Sequence, residues 1–472
     1  MKTLIKGGMI ISAADTVFAD ILIEDEKIKA IGSDFSEDGI SSIIEAKGKI
    51  IMPGGIDVHT HFDLPMFDTV SSDDHYTGHK AAAFGGTTTV IDFVSQDKQT
   101  LSESVKAWHE KADKKAVVDF GFHMNITHFD EKIAKEIPSL RSLGINSVKV
   151  FTAYNNRLRL DDGDIVKVMR IAKDNGILVL VHAENGDVIE VLVNEAIKAS
   201  HTEPIWHALT RPPAGEMESV YRTIKLSEIA KSPVYLVHMN TKGGVDHIRD
   251  ARQHGLPVMG ETCPQYLFFT TNDLLRMDGE KWICSPPVRS DADNAGVYKA
   301  IEDGTLQVIA TDHCPFFFNG KIPIDYEGEK IAIPGKELGK GDFRKIPNGL
   351  PGVGDRMQIM WTKGVGENHI TPNQFVQMMC TNPAKIFGLY PQKGTIMPGC
   401  DADISIWNPE QKIEYGVKRS HQRTDYNLYE GWKLKGVIEK VFLRGKLIVN
   451  GDNWYGKRGD GRYISRGEIT IL

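Results

Sequence analysis

Pro53-Gly54-Gly55-Ile56-Asp57-Val58-His59-Thr60-His61 is the stretch from which the fold can be predicted. Its apolar run predicts a buried strand that ends in two histidines one residue apart. Because side chains alternate along a strand, His59 and His61 point to the same face. Two such imidazoles can form half of a metal site, although two packed or hydrogen-bonded histidines would leave the same pattern. The other strand ends must decide between these interpretations.

The composition excludes several classes of protein. The 472 residues are 41% hydrophobic and 25% charged, as in a soluble globular protein. The net charge of −7 argues against a nucleic-acid partner. No run approaches the roughly 20 apolar residues that a membrane helix needs, and no apolar leader precedes the first strands. The five scattered cysteines fit a reducing compartment, so we expect a cytoplasmic protein.

The two ends of the chain share a β-rich pattern that the middle lacks. Short β-rich runs separated by turns occupy residues 2–50 and return after about residue 394. In the first part, Gly7-Gly8 is expected to separate two strands, Thr3–Lys6 and Met9–Ser12. Two independent β modules would each have a thin core. We therefore predict one small β-sandwich formed by residues 1–52 and 393–472, whose last twenty residues lie against a neighbouring subunit.

The middle of the chain, residues 53–392, has an α/β pattern. About eight β-then-α units predict a (β/α)8 TIM-like barrel. Such barrels carry their chemistry at the C-terminal ends of the strands, so those ends are the places to inspect. The predicted strands are Ile51–Val58, Thr87–Phe93, Val117–His123, Ser147–Phe151, Ile177–Val181, Val234–Val237, Pro257–Glu261 and Gln307–Ala310.

Polar residues with metal-binding side chains stand at five of these strand ends. Each has an ordinary explanation as a satisfied histidine, a buried ion pair or a helix cap. Four histidines and an aspartate at one rim are hard to explain by packing alone. We predict two divalent ions, Zn²⁺ first, with Mn²⁺, Co²⁺ or Fe²⁺ also compatible. The first ion would take His59, His61 and Asp312, and the second would take His182 and His238.

Lys149, at the end of the fourth strand, needs a separate argument. A protonated amine beside two cations would be repelled. A neutral amine in a desolvated site can react with CO2 to form a carbamate, which is a hard bridging carboxylate. Charge balance favours this modification, because imidazoles are neutral and Asp312 alone leaves a large positive excess. We therefore predict that Lys149 is carboxylated and bridges the two ions.

This ligand set predicts hydrolysis of an unactivated carbonyl, most simply an amide. Two ions would hold a bridging hydroxide and polarise the carbonyl. Asp312 can take the proton of the hydroxide and give it to the leaving nitrogen. Tyr154, just past the fourth strand, can donate its phenol to the developing oxyanion, although an ordinary loop aromatic would look the same.

Longer motifs carry a family resemblance: PGGIDVHTH (53–61), FGGTTT (84–89), KVF (149–151), HAEN (182–185), ETCPQYL (261–267), SPPVR (285–289), TDHC (311–314) and DFRKIPNGLPG (342–352). On these, nearly the whole chain resembles the dihydropyrimidinase and D-hydantoinase group of the cyclic amidohydrolases. The resemblance implies the same barrel and β-sandwich, and assembly as a homotetramer or homodimer. It implies ring opening of 5,6-dihydropyrimidines, hydantoins and related cyclic ureides to N-carbamoyl amino acids, as in pyrimidine catabolism. It also implies that Ser285 and Asn348 hold the amide edge of the ring, largely through backbone groups.

The substituent of the ring is expected to meet the loops after the first and fourth strands. These loops offer an apolar lining that favours bulky apolar substituents: Phe62, Leu64, Phe67, Phe151, Leu158 and Leu160. Dihydroorotase, a relative, has an arginine where this chain has Asp63, which counts against a carboxylated ring. An allantoinase-like activity stays open because it shares the ligand set. The non-catalytic branch of the fold lacks the full set, whereas this chain has all six positions.

Overall fold

Two sheets organise the computed structural model, which describes residues 2–66, 68–98 and 100–472. One is an eight-stranded parallel sheet and the other is a nine-stranded mixed sheet. The parallel sheet curls into a barrel, and the mixed sheet combines strands from both chain ends. The predicted fold class, a (β/α)8 barrel with a β unit built from both ends, is confirmed.

The barrel strands pair in chain order. They are Gly55–Thr60, Thr87–Val94, Asp119–Asn125, Ser147–Phe151, Leu178–His182, Val234–Leu236, Val258–Thr262 and Val308–Ile309. The barrel closes through a bridge between Thr60, at the end of the first strand, and His313, four residues past the last strand. Arg356 also links the first and last barrel strands, because its guanidinium donates to the carbonyls of Ile56 at 2.9 Å and Ile309 at 2.8 Å.

The first predicted strand is wrong in one respect, because residues 51–58 belong to two strands. Ile50–Pro53 pairs within the mixed sheet, and Gly55–Thr60 begins the barrel. The chain changes sheets at Gly54, where a Cβ atom would lie 2.1 Å from the Thr88 hydroxyl. Both strands are fully buried, so the apolar run continues across the break and hides it.

The mixed sheet joins the chain ends where Ile50–Pro53 pairs antiparallel with residues 404–407. The predicted turn at Gly7-Gly8 is wrong. Lys2–Ile11 is one strand, and its register against the next strand shifts between Ile5 and Gly8. Gly7 has φ +69°, so this glycine permits a bulge rather than a turn. The strands are Lys2–Ile11, Thr16–Glu24, Lys27–Gly32, Ser42–Glu45, Ile50–Pro53, Ile404–Glu414, Lys433–Leu443, Lys446–Asn450 and Asn453–Trp454.

Amphipathic helices cover the barrel. In Leu101–Ala112, Thr100 and Glu103 form a capping box, and Val105 and Trp108 lie on the buried face. No helix of the described residues has the length and apolarity that a membrane crossing needs. The helices are Thr77–Phe84, Leu101–Ala112, Glu131–Glu136, Asp162–Asp174, Gly186–Lys198, Ile205–Leu209, Pro213–Ala230, Lys242–Gln253, Gln265–Phe268, Asp291–Glu302, Arg356–Met360, Pro372–Val376, Asn382–Ile386 and Val417–Ser420.

The C-terminal tail lies on the barrel of its own chain, and its contact with a neighbouring subunit stays a prediction. The Phe120 amide donates to the carbonyl of Arg462 at 2.9 Å, and the Ile464 amide donates to the carbonyl of Phe120 at 2.7 Å. The side chain of Arg466 is buried and donates to Ser147 at 2.8 Å. The tail therefore pairs with the third barrel strand, where Tyr463 forms a parallel bridge with Phe120.

Candidate active site

Three predicted ligands form a compact group where the first and eighth barrel strands end. The Asp312 carboxylate lies 3.1 Å from His59 Nε2 and 3.2 Å from His61 Nε2, in both cases through the same oxygen. One ligand atom from each residue lies within 4.8 Å of the others. This group could hold a metal ion. His59 and His61 do share one face of the strand, as the alternation predicted.

The remaining predicted ligands lie beside this group. His182 Nδ1 is 3.0 Å from His238 Nε2, and the rings of His238 and His59 are 5.4 Å apart. Lys149 Nζ lies 3.0 Å from His59 Nε2 and 4.2 Å from the centre of the Phe93 ring. The structure thus brings all six residues together as a triad, a pair and a lysine. Their role as metal ligands stays a prediction.

Two buried carboxylates hold the outward-facing nitrogens of the histidines. Glu261 accepts from His59 Nδ1, and Glu184 lies 3.0 Å from His182 Nε2. The other ring nitrogen of each histidine faces the site, where His59 Nε2 contacts Asp312 and Lys149 and His182 Nδ1 contacts His238. A carboxylate behind a histidine is a common support for a metal ligand, so the donor set fits divalent cations.

Sequence reasoning did not assign these two glutamates. Glu261 stands near the end of the seventh barrel strand, the same position as the ligands on other strands. Glu184 follows His182 by two residues, which places the two side chains on one side of an extended segment. Their positions at or just past the C-terminal ends of barrel strands could have predicted that both glutamates lie at the site.

Burial sets the protonation of the site. It lowers the pKa of Lys149 to about 8, even though Asp312 and Glu261 act in the opposite direction. It also lowers the pKa of His61 to about 4. Burial would raise the pKa of Asp312, but His59 and His61 hold it well below its usual range. At neutral pH Asp312 is therefore a carboxylate and His61 is a neutral imidazole. A fraction of Lys149 is a neutral amine.

Three site residues have left-handed backbones. Tyr154, His238 and Asp312 have φ of 67°, 42° and 53°. This conformation costs a non-glycine residue about 1–3 kcal/mol, and such residues concentrate at functional sites. The sequence analysis did not predict these conformations, although aspartate and histidine adopt the left-handed region more often than most other residues.

A cavity of about 210 Å³ opens above the ligand group. Tyr154, Ser285 and Asn348, the predicted substrate contacts, all line it together with His61 and Asp312. The Tyr154 ring lies 5.1 Å from the His182 ring, and Asn348 Nδ2 donates to Ser285 Oγ at 3.2 Å. The structure therefore places the predicted substrate contacts and the predicted ligands around one space.

The predicted apolar lining is correct in part. Leu64, Phe151 and Leu158 line the cavity, and so do Pro65 and Met66, which were not predicted.

Two residues of that prediction lie elsewhere. Phe62 is wrong, because its ring is fully buried and packs between His75, His79 and His313. Leu160 is also wrong, because it is buried in the hydrophobic core and does not line the cavity. Phe67 lies outside the described residues.

Two neighbouring residues, His313 and Asp63, point away from the cavity. His313 faces away from the ligand group, with Nε2 3.2 Å from an Asp73 oxygen. Asp63 turns from the cavity and pairs with Lys115 at 3.3 Å. The position where a carboxylate-binding arginine was considered therefore holds an acid engaged elsewhere.

Residues 50–448 match the family model described as the amidohydrolase family. The chain belongs to the amidohydrolase family. This amidohydrolase is 43% identical to a D-hydantoinase from Geobacillus stearothermophilus, over 100% of this chain and 98% of the relative. It is 37% identical to a D-phenylhydantoinase from Escherichia coli O127:H6, over 99% of this chain and 98% of the relative. The crystal structure of dihydropyrimidinase from Brevibacillus agri NCHU1002 superposes with a TM-score of 0.95 at 42% identity, covering 100% of both chains. The predicted family and the predicted class of enzyme, a hydrolase, are confirmed.

Proposed function

We propose that this amidohydrolase opens the ring of cyclic ureides by hydrolysis. The substrates would be 5,6-dihydropyrimidines and 5-substituted hydantoins, and the products N-carbamoyl amino acids. One observation carries the proposal: five of the six candidate ligands and the three candidate substrate contacts line one cavity, and the sixth ligand, His59, contacts Asp312 and Lys149. The names of the relatives, D-hydantoinase and dihydropyrimidinase, support this class of substrate.

Two divalent cations fit the donor set. His59, His61 and Asp312 would hold one, His182 and His238 the other, and Lys149, carboxylated by CO2, would serve both. Zn²⁺ is the first candidate, and Mn²⁺ and Co²⁺ suit the same donors. When bound, such ions supply a hydroxide nucleophile at neutral pH and polarise the scissile carbonyl.

The residues of the chain would move the proton and stabilise the new charge. The Asp312 carboxylate lines the cavity, so it would accept a proton on attack and pass it to the leaving nitrogen. Burial raises the pKa of the Tyr154 phenol, so this group keeps its proton and can donate to the developing oxyanion. Ser285 and Asn348 would hold the amide edge of the ring from the opposite wall.

The apolar wall would select the substituent. Leu64, Met66, Phe151 and Leu158 line the cavity on the side of the first and fourth strand loops. A bulky apolar 5-substituent would bury its surface there, which is favourable by about 0.8 kcal/mol per methylene group. We therefore propose that aryl and alkyl hydantoins are better substrates than unsubstituted hydantoin.

We also propose a cytoplasmic location and a homotetramer or homodimer. The absence of disulfides among the five buried cysteines accords with a reducing compartment. Light scattering after size-exclusion chromatography measures the mass directly, and a monomeric mass would contradict the assembly.

A substrate panel tests the activity. The purified, metal-loaded protein is incubated with dihydrouracil, hydantoin, an aryl hydantoin, allantoin and dihydroorotate, with and without chelator. We expect carbamoyl product from dihydrouracil or the hydantoins, its loss on chelation, and its return when metal is added back. Turnover of allantoin or dihydroorotate alone would contradict the proposed substrate class. A protein with neither metal nor turnover would indicate the non-catalytic branch of the fold.

A further inference from the structure

Lys336 is a fully buried lysine that no carboxylate neutralises. Its Nζ donates to the carbonyls of Ile283 and Pro347, both at 3.1 Å. Within residues 2–66, 68–98 and 100–472 it forms no ion pair. Lys393, the other fully buried lysine outside the ligand group, is surrounded by three aspartates. Burying an amine without hydrogen bonds costs free energy. The two hydrogen bonds to these carbonyls are therefore needed to offset the desolvation of the Lys336 amine.

The two carbonyls belong to the two segments that form one wall of the cavity. Ile283 precedes Ser285 by two residues, and Pro347 directly precedes Asn348. The segments also touch through the Gly349 amide, which donates to the Ile283 carbonyl at 3.0 Å. Lys336 itself does not line the cavity. It therefore lies behind the junction of these segments rather than beside the substrate.

The junction has little space in which to shift. A Cβ atom on Gly349 would lie 2.2 Å from the Cys314 carbonyl, so this segment packs directly on the loop that follows Asp312. A small movement of Asn348 relative to Ser285 would change the opening that receives the edge of a planar ring. Displacements of about 1 Å in groups that position a substrate can cost about a hundredfold in rate.

We propose that Lys336 is a positioning residue that fixes the spacing of Ser285 and Asn348 and so determines how tightly the amide edge of the cyclic substrate is bound. This inference rests on the proposed function. The lysine acts through two carbonyl oxygens and touches neither substrate nor metal ligands. Burial lowers the pKa of Lys336 to about 7, and both the ammonium and the neutral amine have enough hydrogens for two carbonyls. The spacing is therefore maintained in either protonation state.

The test separates binding from catalysis. Lys336→Met keeps the length of the side chain and removes its donors. We expect KM for dihydrouracil or a hydantoin to rise about tenfold or more, with a smaller change in kcat and unchanged metal content. Lys393→Met is the matched control, since it removes a buried lysine far from the cavity. It is expected to lower the melting temperature and leave KM unchanged.

Two outcomes would overturn the role of Lys336. The first is a folded Lys336→Met variant with the KM of the wild type, and the second is an equal rise of KM in Lys393→Met. If Lys336→Met does not fold, Lys336→Gln is measured, whose nitrogen ends too near the backbone to reach both carbonyls. A KM raised at least about threefold in that variant supports the role, and an unchanged KM overturns it. No turnover of any cyclic ureide by the wild type would overturn the proposed function and this inference together.

Discussion

Both nitrogens of the His59 ring are engaged, and they face opposite sides. Nδ1 donates to Glu261, while Nε2 faces Asp312 and Lys149. The second Glu261 oxygen accepts from the Tyr235 hydroxyl at 2.9 Å, so the carboxylate is itself fixed. The orientation of His59 therefore depends on a residue that contacts neither the cavity nor the other candidate ligands of the triad.

Glu261→Gln should weaken metal binding. The amide retains one acceptor but loses the negative charge that favours His59 as a donor at Nδ1 and a ligand at Nε2. Replacing such a supporting carboxylate typically costs about 10- to 100-fold in metal affinity. Activity titrated against free Zn²⁺ after chelation should show a midpoint shifted by that amount. Glu439→Gln, which removes a carboxylate paired with Lys49 in the mixed sheet, is the control and should titrate like the wild type.

His421 should make stability depend on pH. Its ring stacks on Phe84 with centroids 3.6 Å apart, and burial lowers its pKa to about 4. An unfolded histidine titrates near pH 6.5, so between these values the unfolded chain binds a proton that the folded chain does not. Stability is therefore lost as pH falls through this window, by about 2 kcal/mol between pH 8 and pH 5 from this group alone.

Comparison with His421→Asn isolates that contribution. Asparagine does not titrate, and it tolerates the φ of 56° at this position. The difference in the free energy of unfolding between wild type and variant, measured in urea, should shift by about 2 kcal/mol in favour of the variant from pH 8 to pH 5. A difference that is the same at both pH values would show that the ring protonates freely in the folded protein.

Strands were predictable from the sequence where their neighbours bury them on both faces. Ser147–Phe151 has the predicted bounds, since its β-branched and aromatic residues favour a strand that is buried on both faces. The break at Gly54 could not be predicted, because an apolar run crosses from one sheet to the other. Gly7-Gly8 was equally ambiguous, since glycine pairs occur in turns and in bulges.

The site was predictable to the extent that strand ends determine it. The six candidate ligands lie near the ends of strands that must converge in a barrel. Their residue types and their positions in the sequence were therefore enough to predict that they lie close together. Lys336 and the unpredicted lining residue Met66 lie in connections between barrel strands, whose paths depend on tertiary contacts. The ring of Phe62 points inward for the same reason, since its amide donates to Asp92 at 3.1 Å and turns the chain.

The mixed sheet and the barrel meet at a buried ionic cluster centred on Lys393. Its Nζ lies 2.5 Å from Asp119, at the start of the third barrel strand. It also lies 2.9 Å from Asp401 and 2.7 Å from Asp403, just before a strand of the mixed sheet. Burial lowers the pKa of Lys393, but the three carboxylates outweigh it and raise the pKa. One charge thus connects parts of the chain that are 274 residues apart.

Lys393→Met should destabilise the whole molecule, because it leaves three buried carboxylates without their shared cation. Removing one partner of a buried ion pair typically costs about 3–5 kcal/mol. In a protein of 472 residues that corresponds to a fall in melting temperature of about 3–5 °C, measured by calorimetry. Lys27→Met is the matched control, since Lys27 pairs with the same Asp401 at 2.6 Å but its side chain is 50% exposed. Because Lys27 is half exposed and Asp401 keeps Lys393 as a partner, the control should cost at most about 1 kcal/mol and lower the melting temperature by no more than about 1 °C. Equal effects of the two substitutions would mean that the cluster does not hold the sheet and the barrel together.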